Sequence, residues 1–286
     1  MNATAPLPRA VWVLGFVSLL MDVSSEMIHA LLPAYLVVGL GASALVVGVI
    51  EGVAEATALA VRVFSGTLSD ALRHRKWVAA AGYGLAALSK PLFALASGPG
   101  LVFAARFIDR IGKGIRGAPR DALIADVTPE TRRGEAFGLR QSLDTVGAFL
   151  GPLLAMALMR AGSGDSRAVF WGAVFPAALS FLLLATAVRE PLPTGTHAPP
   201  VPFSPRAARG LGRAFWWVTA AGAALMLARF SEAFLMLRAL DLGVAASYTP
   251  LVLVAMNVVY SLVAWPAGRL ADRLGSRRLL LAGTAL

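Results

Sequence analysis

The sequence predicts an all-α protein that crosses a membrane several times, and three observations predict it. Of the 286 residues, 57% are apolar and 15% are charged, whereas a soluble domain carries about 25% charged residues. The segments 168–188 and 242–268 contain no charged residue, and roughly 20 apolar residues suffice for a helix to cross the hydrocarbon core. Lys and Arg cluster between alternate apolar segments, as the positive-inside rule expects of a polytopic membrane protein.

The apolar segments predict the membrane-spanning helices in order. Polar residues bound six such segments in the first part of the chain, namely 11–38, 42–65, 77–96, 101–124, 137–159 and 168–188. Later segments are predicted at 214–237 and 247–267, with a ninth beginning at Leu279. We therefore predict three regions: a six-helix half (1–190), a linker rich in Pro and Arg (191–212) and the start of a second half (213–286).

The charge distribution predicts how the protein lies in its membrane. A net charge of +10 would by itself suggest a nucleic-acid partner, but the Lys and Arg pattern indicates a lipid bilayer instead, with the N-terminus and the linker in the cytoplasm. The first segment contains Asp22 and Glu26 and lacks a cleavage site, so it is predicted to be retained and not to be a signal peptide. We expect a bacterial inner membrane, and no nucleic-acid partner.

A repeat relates the two parts of the chain. The segment 66–77 reads GTLSDALRHRKW and the segment 268–279 reads GRLADRLGSRRL, with Gly, Leu, Asp, Leu and Arg in register. Ser25 and Glu26 correspond in the same way to Ser231 and Glu232. Such a parallel duplication is typical of transporters whose substrate site lies between two halves.

These motifs resemble the major facilitator superfamily over essentially the whole chain. The loops after the second and eighth segments resemble the family's G-x-x-x-D-R-x-G-R-R signature, although Ala71 and Arg73 depart from it. The residues of the two copies are Gly66, Asp70, Arg75, Lys76, Gly268, Asp272, Arg273 and Arg277. The fifth segment resembles the family's antiporter motif G-x8-G-x3-G-P, at Gly138, Gly147, Gly151 and Pro152. The resemblance implies two six-helix halves that rock around a central site, with the signature loops as a cytoplasmic gate.

Ionisable side chains inside the first segment are the first candidates for function. Asp22, Glu26 and His29 are spaced to share one helix face. Such groups are costly in a membrane and usually face a cavity or a partner, and a carboxyl group in a low-dielectric cavity can exchange protons near physiological pH. The alternative is a buried ion pair that fastens the first helix to the fourth. Through the repeat, Glu232 joins this predicted substrate and proton cavity.

The fourth segment carries a ridge of charge. Its predicted cavity members are Arg106, Asp109 and Arg110, and Asp109 and Arg110 replace the Gln and Gly of the family's R-x-x-Q-G pattern. The ridge continues through Lys113, Arg116 and Arg120. Its positive excess suggests either an anionic solute or neutralisation by Asp22 and Glu26, and an internal salt-bridge network is an equal alternative. Weaker candidates are Glu51, Glu55 and Lys90, and the last of these is also a candidate to snorkel.

A G-x-G-x-x-G pattern at Gly112, Gly114 and Gly117 does not indicate a dinucleotide site. No strand precedes it, and the pattern is weak outside a strand-turn-helix unit. Small residues here are expected to allow close helix packing. The chain has no cysteine, and neither a metal site nor a cofactor is predicted.

The sequence thus predicts a secondary active transporter that exports a small solute or ion in exchange for protons, and not an enzyme. A transport-inactive sensor or partner subunit of the same fold is the alternative. A nucleotide-dependent membrane enzyme ranks third, because no Walker loop, metal-ligand cluster or nucleophile elbow is found. We expect a monomer. Twelve spans would need about 400 residues, so the chain is expected to lack the last helices of the fold.

Overall fold

The computed structural model describes residues 6–72, 74–162, 164–189, 210, 212–228, 231–260, 262 and 283. In these residues the regular structure is helical throughout, which confirms the predicted all-α class. Six long helices lie where the first six apolar segments predict them. Their bounds are Arg9–His29 (α1), Ala44–Leu72 (α2), Arg75–Leu95 (α3), Pro99–Val127 (α4), Arg133–Ala161 (α5) and Ser166–Ala187 (α6).

The first span changes its helix type before it ends. α1 stops at His29, and a short helix, Leu32–Ala34, and a π-helical turn, Tyr35–Gly39, follow. The reason is local, because Pro33 has no N–H to donate to the carbonyl of His29 four residues earlier. The regular α-helix of this span is therefore interrupted just beyond the ionisable residues of α1.

α4 differs from the other five long helices in composition. Those five are long and apolar enough to cross a membrane. α4 has 29 residues, the same length as α2 and α5, but charged side chains occur along it. Because exposing charged side chains to lipid costs free energy, α4 has to be enclosed by its neighbours.

The bundle encloses α4 on two sides. α4 packs against α2 and α3, α3 against α6, α6 against α1, and α1 against α5. Gly112 permits the α3 contact, since a Cβ there would lie 2.7 Å from the carbonyl oxygen of Gly82. Gly114 permits the α2 contact, since a Cβ there would lie 2.7 Å from Cβ of Val61. Close packing, which we predicted for this glycine pattern, is confirmed.

In the described residues of the second part of the chain, three further helices follow: Arg213–Ala228 (α7), Ala233–Asp241 (α8) and Ala246–Tyr260 (α9). The single helix predicted over 214–237 is therefore wrong. Ser231 accepts a hydrogen bond from the backbone N–H of Ala233 through its side chain, and this local bond replaces a helical one at the start of α8.

In the residues that the structure describes, the second part contacts the first through α8 and α9. Ala233 and Met236 of α8 lie in the apolar core with residues near the end of α1, and Phe234 packs against Gly48 of α2. Asn257 of α9 donates a hydrogen bond to the carbonyl oxygen of Ala148 in α5, 3.3 Å away. Most of the predicted linker, and the ninth predicted span apart from Gly283, lie outside the described residues.

Candidate functional site

The first three charged residues of the α4 ridge, Arg106, Asp109 and Arg110, are buried and paired inside the bundle. Arg106 is 2% exposed, and its Nη2 lies 2.7 Å from Oε2 of Glu51 on α2. One turn further, Arg110 Nη1 lies 3.1 Å from Oε1 of Glu55, also on α2. The two arginines thus meet two carboxylates of the same neighbouring helix, with the four-residue spacing that aligns side chains on one helix face.

Asp109 has its cation on the other side of α4. Lys90 of α3 places Nζ 2.8 Å from Oδ1 of Asp109, and both side chains are nearly inaccessible to solvent. Lys90 also donates a hydrogen bond to the hydroxyl of Ser25 at 3.0 Å. The alternative that Lys90 snorkels to the membrane surface is wrong, because its ammonium group is enclosed between α1, α3 and α4.

The expected source of neutralising charge is also corrected. Glu51 and Glu55 of α2 neutralise Arg106 and Arg110, and among the described residues neither Asp22 nor Glu26 of α1 forms an ion pair with the ridge. The sequence contained the signal, since Glu51 and Glu55 are one turn apart in an otherwise apolar segment. The sequence did not indicate whether α1 or α2 supplies the carboxylates that pair with the arginines of α4.

His29 connects α1 with this network. Its Nδ1 lies 3.4 Å from Oε2 of Glu26, and its Nε2 lies 3.8 Å from Oε2 of Glu51. The contact between Glu26 and His29 confirms that they share a face of α1. The imidazole therefore stands between a carboxylate of α1 and a carboxylate that is already bound to Arg106.

Asp22 differs from the other ionisable residues of the cluster. It is half-buried, and it makes no hydrogen bond and no ion pair with any residue that the structure describes. Gly147 of α5 packs on it closely, because a Cβ at Gly147 would lie 3.0 Å from Cβ of Asp22. Asp22 is thus held by the backbone of α5 and not by a cation.

The glycines of α5 fit against the acidic face of α1. A Cβ at Gly147 would lie 2.9 Å from the carbonyl oxygen of Leu19, and one at Gly151 would lie 2.5 Å from Cβ of Glu26. Pro152 is buried beside them. Gly138, at the start of the same motif, has no atom within 4 Å of an added Cβ, so close packing applies to only part of the motif.

We expect Gly151→Ala to lower stability by about 1 to 3 kcal/mol, because the new methyl group would overlap both Glu26 and the carbonyl oxygen of Val23 and force α5 away from α1. Gly138→Ala is the matched control, since open space surrounds it and Ala favours a helix by about 1 kcal/mol over Gly. Thermal unfolding of the two variants in detergent measures the difference. Equal melting temperatures would show that α5 does not depend on this contact.

A second ionic cluster lies further along α4. Asp121 accepts hydrogen bonds from Arg62 of α2 at 3.2 Å and from Arg120 at 3.0 Å. Arg140 of α5 approaches Asp121 at 3.9 Å and binds Asp144, one turn along its own helix, at 2.8 Å. This cluster joins α2, α4 and α5. Sequence reasoning missed Asp121 and Asp144.

The residues of the predicted gate motif are described in part. Arg75 is paired with Asp126 at the end of α4, and Nζ of Lys76 donates to the carbonyl oxygen of Ala185 in α6 at 2.7 Å. Gly66 faces Ala118 of α4 across ordinary van der Waals distance. Asp70 lies in the last turn of α2, and its role in a gate stays a prediction. The second copy, Gly268, Asp272, Arg273 and Arg277, lies outside the described residues.

The remaining candidate, Glu232, lies directly before the first residue of α8, away from the ridge of α4 along the chain. Its assignment to the cavity stays a prediction. In the described part of the chain, no group of three or more His, Asp or Glu side chains has the arrangement of a metal site.

Long apolar helices that enclose a paired ionic network define a multi-pass membrane protein with a polar interior. The chain belongs to the Major Facilitator Superfamily, whose family profile matches residues 14–286. An uncharacterised protein of Mycobacterium tuberculosis is 37% identical over 95% of this chain and 67% of its own length. An uncharacterised MFS-type transporter of Methanocaldococcus jannaschii is 30% identical over 97% of this chain and 70% of its own length.

Solved structures agree on the fold. The crystal structure of a bacterial homologue of the human lysosomal transporter Spinster, inward-facing and unoccupied, has a TM-score of 0.71 at 18% identity, and covers 94% of this chain and 63% of that chain. The chain therefore spans about two thirds of the length of these relatives. At this level of identity the likeness shows the architecture of the helices and nothing about the solute.

Proposed function

We propose that the protein is a secondary active transporter that exports a small solute in exchange for protons by alternating access. The observation that carries the proposal is the buried network of α1, α2, α3 and α4 at membrane depth, next to carboxylates of α1 that lack a strong partner. Ionisable groups enclosed in membrane helices mark solute and proton pathways by default. The transporter relative from Methanocaldococcus jannaschii supports the same class.

The pairing pattern suggests which residues carry the proton. Arg106, Asp109 and Arg110 are each held by an opposite charge at 3.1 Å or less, and a buried pair of this kind can fix helix registry without binding a ligand. Glu26 has only the imidazole of His29, and Asp22 has no partner among the described residues. We therefore assign proton exchange to Asp22 and Glu26, and we place the solute site next to them.

The proposal predicts proton release that depends on a solute. In inverted membrane vesicles with an acidic interior, a transported solute should drive protons out, because export in the cell becomes uptake here. A pH-sensitive dye inside the vesicles reports this release for a panel of cationic, neutral and anionic compounds. Vesicles without the protein are the control. If uptake of every compound is independent of the gradient, proton-coupled export is wrong.

We also propose that the N-terminus, the turn at Asp70 and the linker lie in the cytoplasm of a bacterial cell, with Asp70 and Asp272 at the inner mouth as parts of a gate. The Lys and Arg asymmetry supports this orientation. Since the chain has no cysteine, a single Pro199→Cys substitution gives a clean test. We expect an impermeant thiol reagent to label it in inverted vesicles and not in intact cells. Labelling in intact cells would show that the protein has the opposite orientation.

A further inference from the structure

Among the described residues of the bundle interior, one anion and one cation form no ion pair. The buried carboxylates Glu51 and Asp109 and the half-buried carboxylate Asp144 each have a cation within 2.8 Å. Asp22 lacks one, and it is the exception among the acidic side chains in the described part of the bundle interior. Because an ionised carboxylate is costly to bury without a partner, its isolation needs an explanation.

The cation without a partner is Arg116 of α4. It is 5% exposed, and its Nη1 is buried without a hydrogen-bond acceptor among the described residues. No carboxylate that the structure describes lies within ion-pair distance of its guanidinium group. Lys113 also lacks an ion pair among the described residues. Its side chain is exposed, so no unpaired charge is buried at that position.

Arg116 rests instead on an aromatic ring. Its guanidinium carbon lies 5.0 Å from the ring centroid of Tyr83, a contact that stabilises a cation less than a buried carboxylate would. The hydroxyl of Tyr83 lies 3.3 Å from that of Ser18, and Ser18 is one turn before Asp22 on α1. The resting place of Arg116 is therefore next to the face of α1 that carries Asp22.

We propose that Arg116 is a positioning residue for the proton on Asp22: it rests on Tyr83 while Asp22 is protonated and pairs with the Asp22 carboxylate after the proton leaves. This inference rests on the proposed role of Asp22 in proton exchange. It explains both isolated groups at once, because a neutral Asp22 needs no cation and an ionised Asp22 does.

Other charges also act on Asp22 and have to be considered. They are Lys113 and Arg120 of α4 and Asp144 of α5, with Glu26 one turn away on α1. Arg120 already binds Asp121 and Ser18, Asp144 is held by Arg140, and Lys113 is exposed. Arg116 is thus the buried cation that is free to move towards Asp22 without breaking an existing ion pair.

An infrared titration of the purified protein in lipid tests the proposal without a transport assay. The carboxyl band of Asp22 is the one that Asp22→Asn removes. We expect Arg116→Met to move the midpoint of this band to higher pH by about one unit or more, because a nearby cation favours the ionised carboxylate. Arg116→Lys, which keeps the charge, should move it far less, and Tyr83→Phe, which keeps the ring, should leave it unchanged.

The outcomes separate this inference from the proposed function. An unchanged midpoint in folded Arg116→Met, or the absence of any band that titrates with Asp22, overturns the inference even if the protein transports. If Arg116→Met does not fold, Arg116→Gln supplies the same comparison. If neither neutral variant folds even together with Asp22→Asn, the charge of Arg116 serves the fold independently of Asp22, and the inference is wrong. A shifted midpoint in a protein that moves no solute contradicts the proposed function instead.

Discussion

Lys90→Met should lower the free energy of unfolding by about 3 to 5 kcal/mol, because it leaves the buried carboxylate of Asp109 without its closest cation. Arg110 lies 3.7 Å from the other oxygen of Asp109 but is already engaged with Glu55, so it compensates in part. Denaturant titration in mixed micelles measures the loss. The expected effect is large for a single substitution, since both side chains are almost fully buried.

The double variant Lys90→Met with Asp109→Leu distinguishes a buried pair from a packing defect. Replacing both charges by apolar groups of similar size is often neutral or stabilising, so most of the lost stability should return. Arg133→Met is the matched control, because its ion pair with Glu130 at 3.3 Å is exposed and such pairs contribute little. A double variant that is less stable than Lys90→Met would show that the two charges do not compensate one another.

Glu26→Gln should reduce proton-coupled exchange by about a hundredfold or more while the protein still inserts and folds. The amide keeps the shape of the side chain and its packing against Gly151, but it cannot exchange a proton. The contact with His29 is 3.4 Å long, so its loss should affect stability only weakly. Exchange measured in vesicles against an imposed pH gradient, at equal protein content, gives the reduction.

The control for that variant is Glu130→Gln, an amide substitution at a glutamate that is 84% exposed and lies outside the bundle interior. It should leave exchange unchanged. If Glu26→Gln retains both exchange and its normal pH dependence, Glu26 has a structural role. Asp22 then becomes the first candidate, since Asp109 is held at 2.8 Å by Lys90.

Most of the helix positions could be predicted from the sequence, because the length of an apolar run is a local property. The segment 214–237 is an exception. The segment 214–237 is apolar almost throughout, and hydropathy alone does not reveal that the helix stops before Ser231 and restarts at Ala233. At this break the side chain of a single serine, Ser231, accepts a hydrogen bond from the backbone N–H of Ala233.

For the candidate site, the sequence predicted which helix carries each ionisable residue, but not which residue it pairs with. Spacing placed Asp22, Glu26 and His29 on one face of α1 and put Arg106, Asp109 and Arg110 on one ridge, because 3.6 residues per turn fixes such faces. Spacing along one helix carries no information about which neighbouring helix meets that face. The role of Lys90, and the place of Asp121 and Asp144 in a second cluster, were missed for the same reason.

The sequence by itself determined that the protein is a bundle of membrane-spanning helices of the Major Facilitator Superfamily and which residues carry charge into that bundle. The tertiary structure alone decided how those charges combine. Arg106 and Glu51 are 55 residues apart in the chain yet 2.7 Å apart in space, and glycine contacts between helices set such distances. Because an ion pair depends on the distance between side chains of different helices, the absence of an ion pair at Asp22 and Arg116 in the described residues is a property of the tertiary structure.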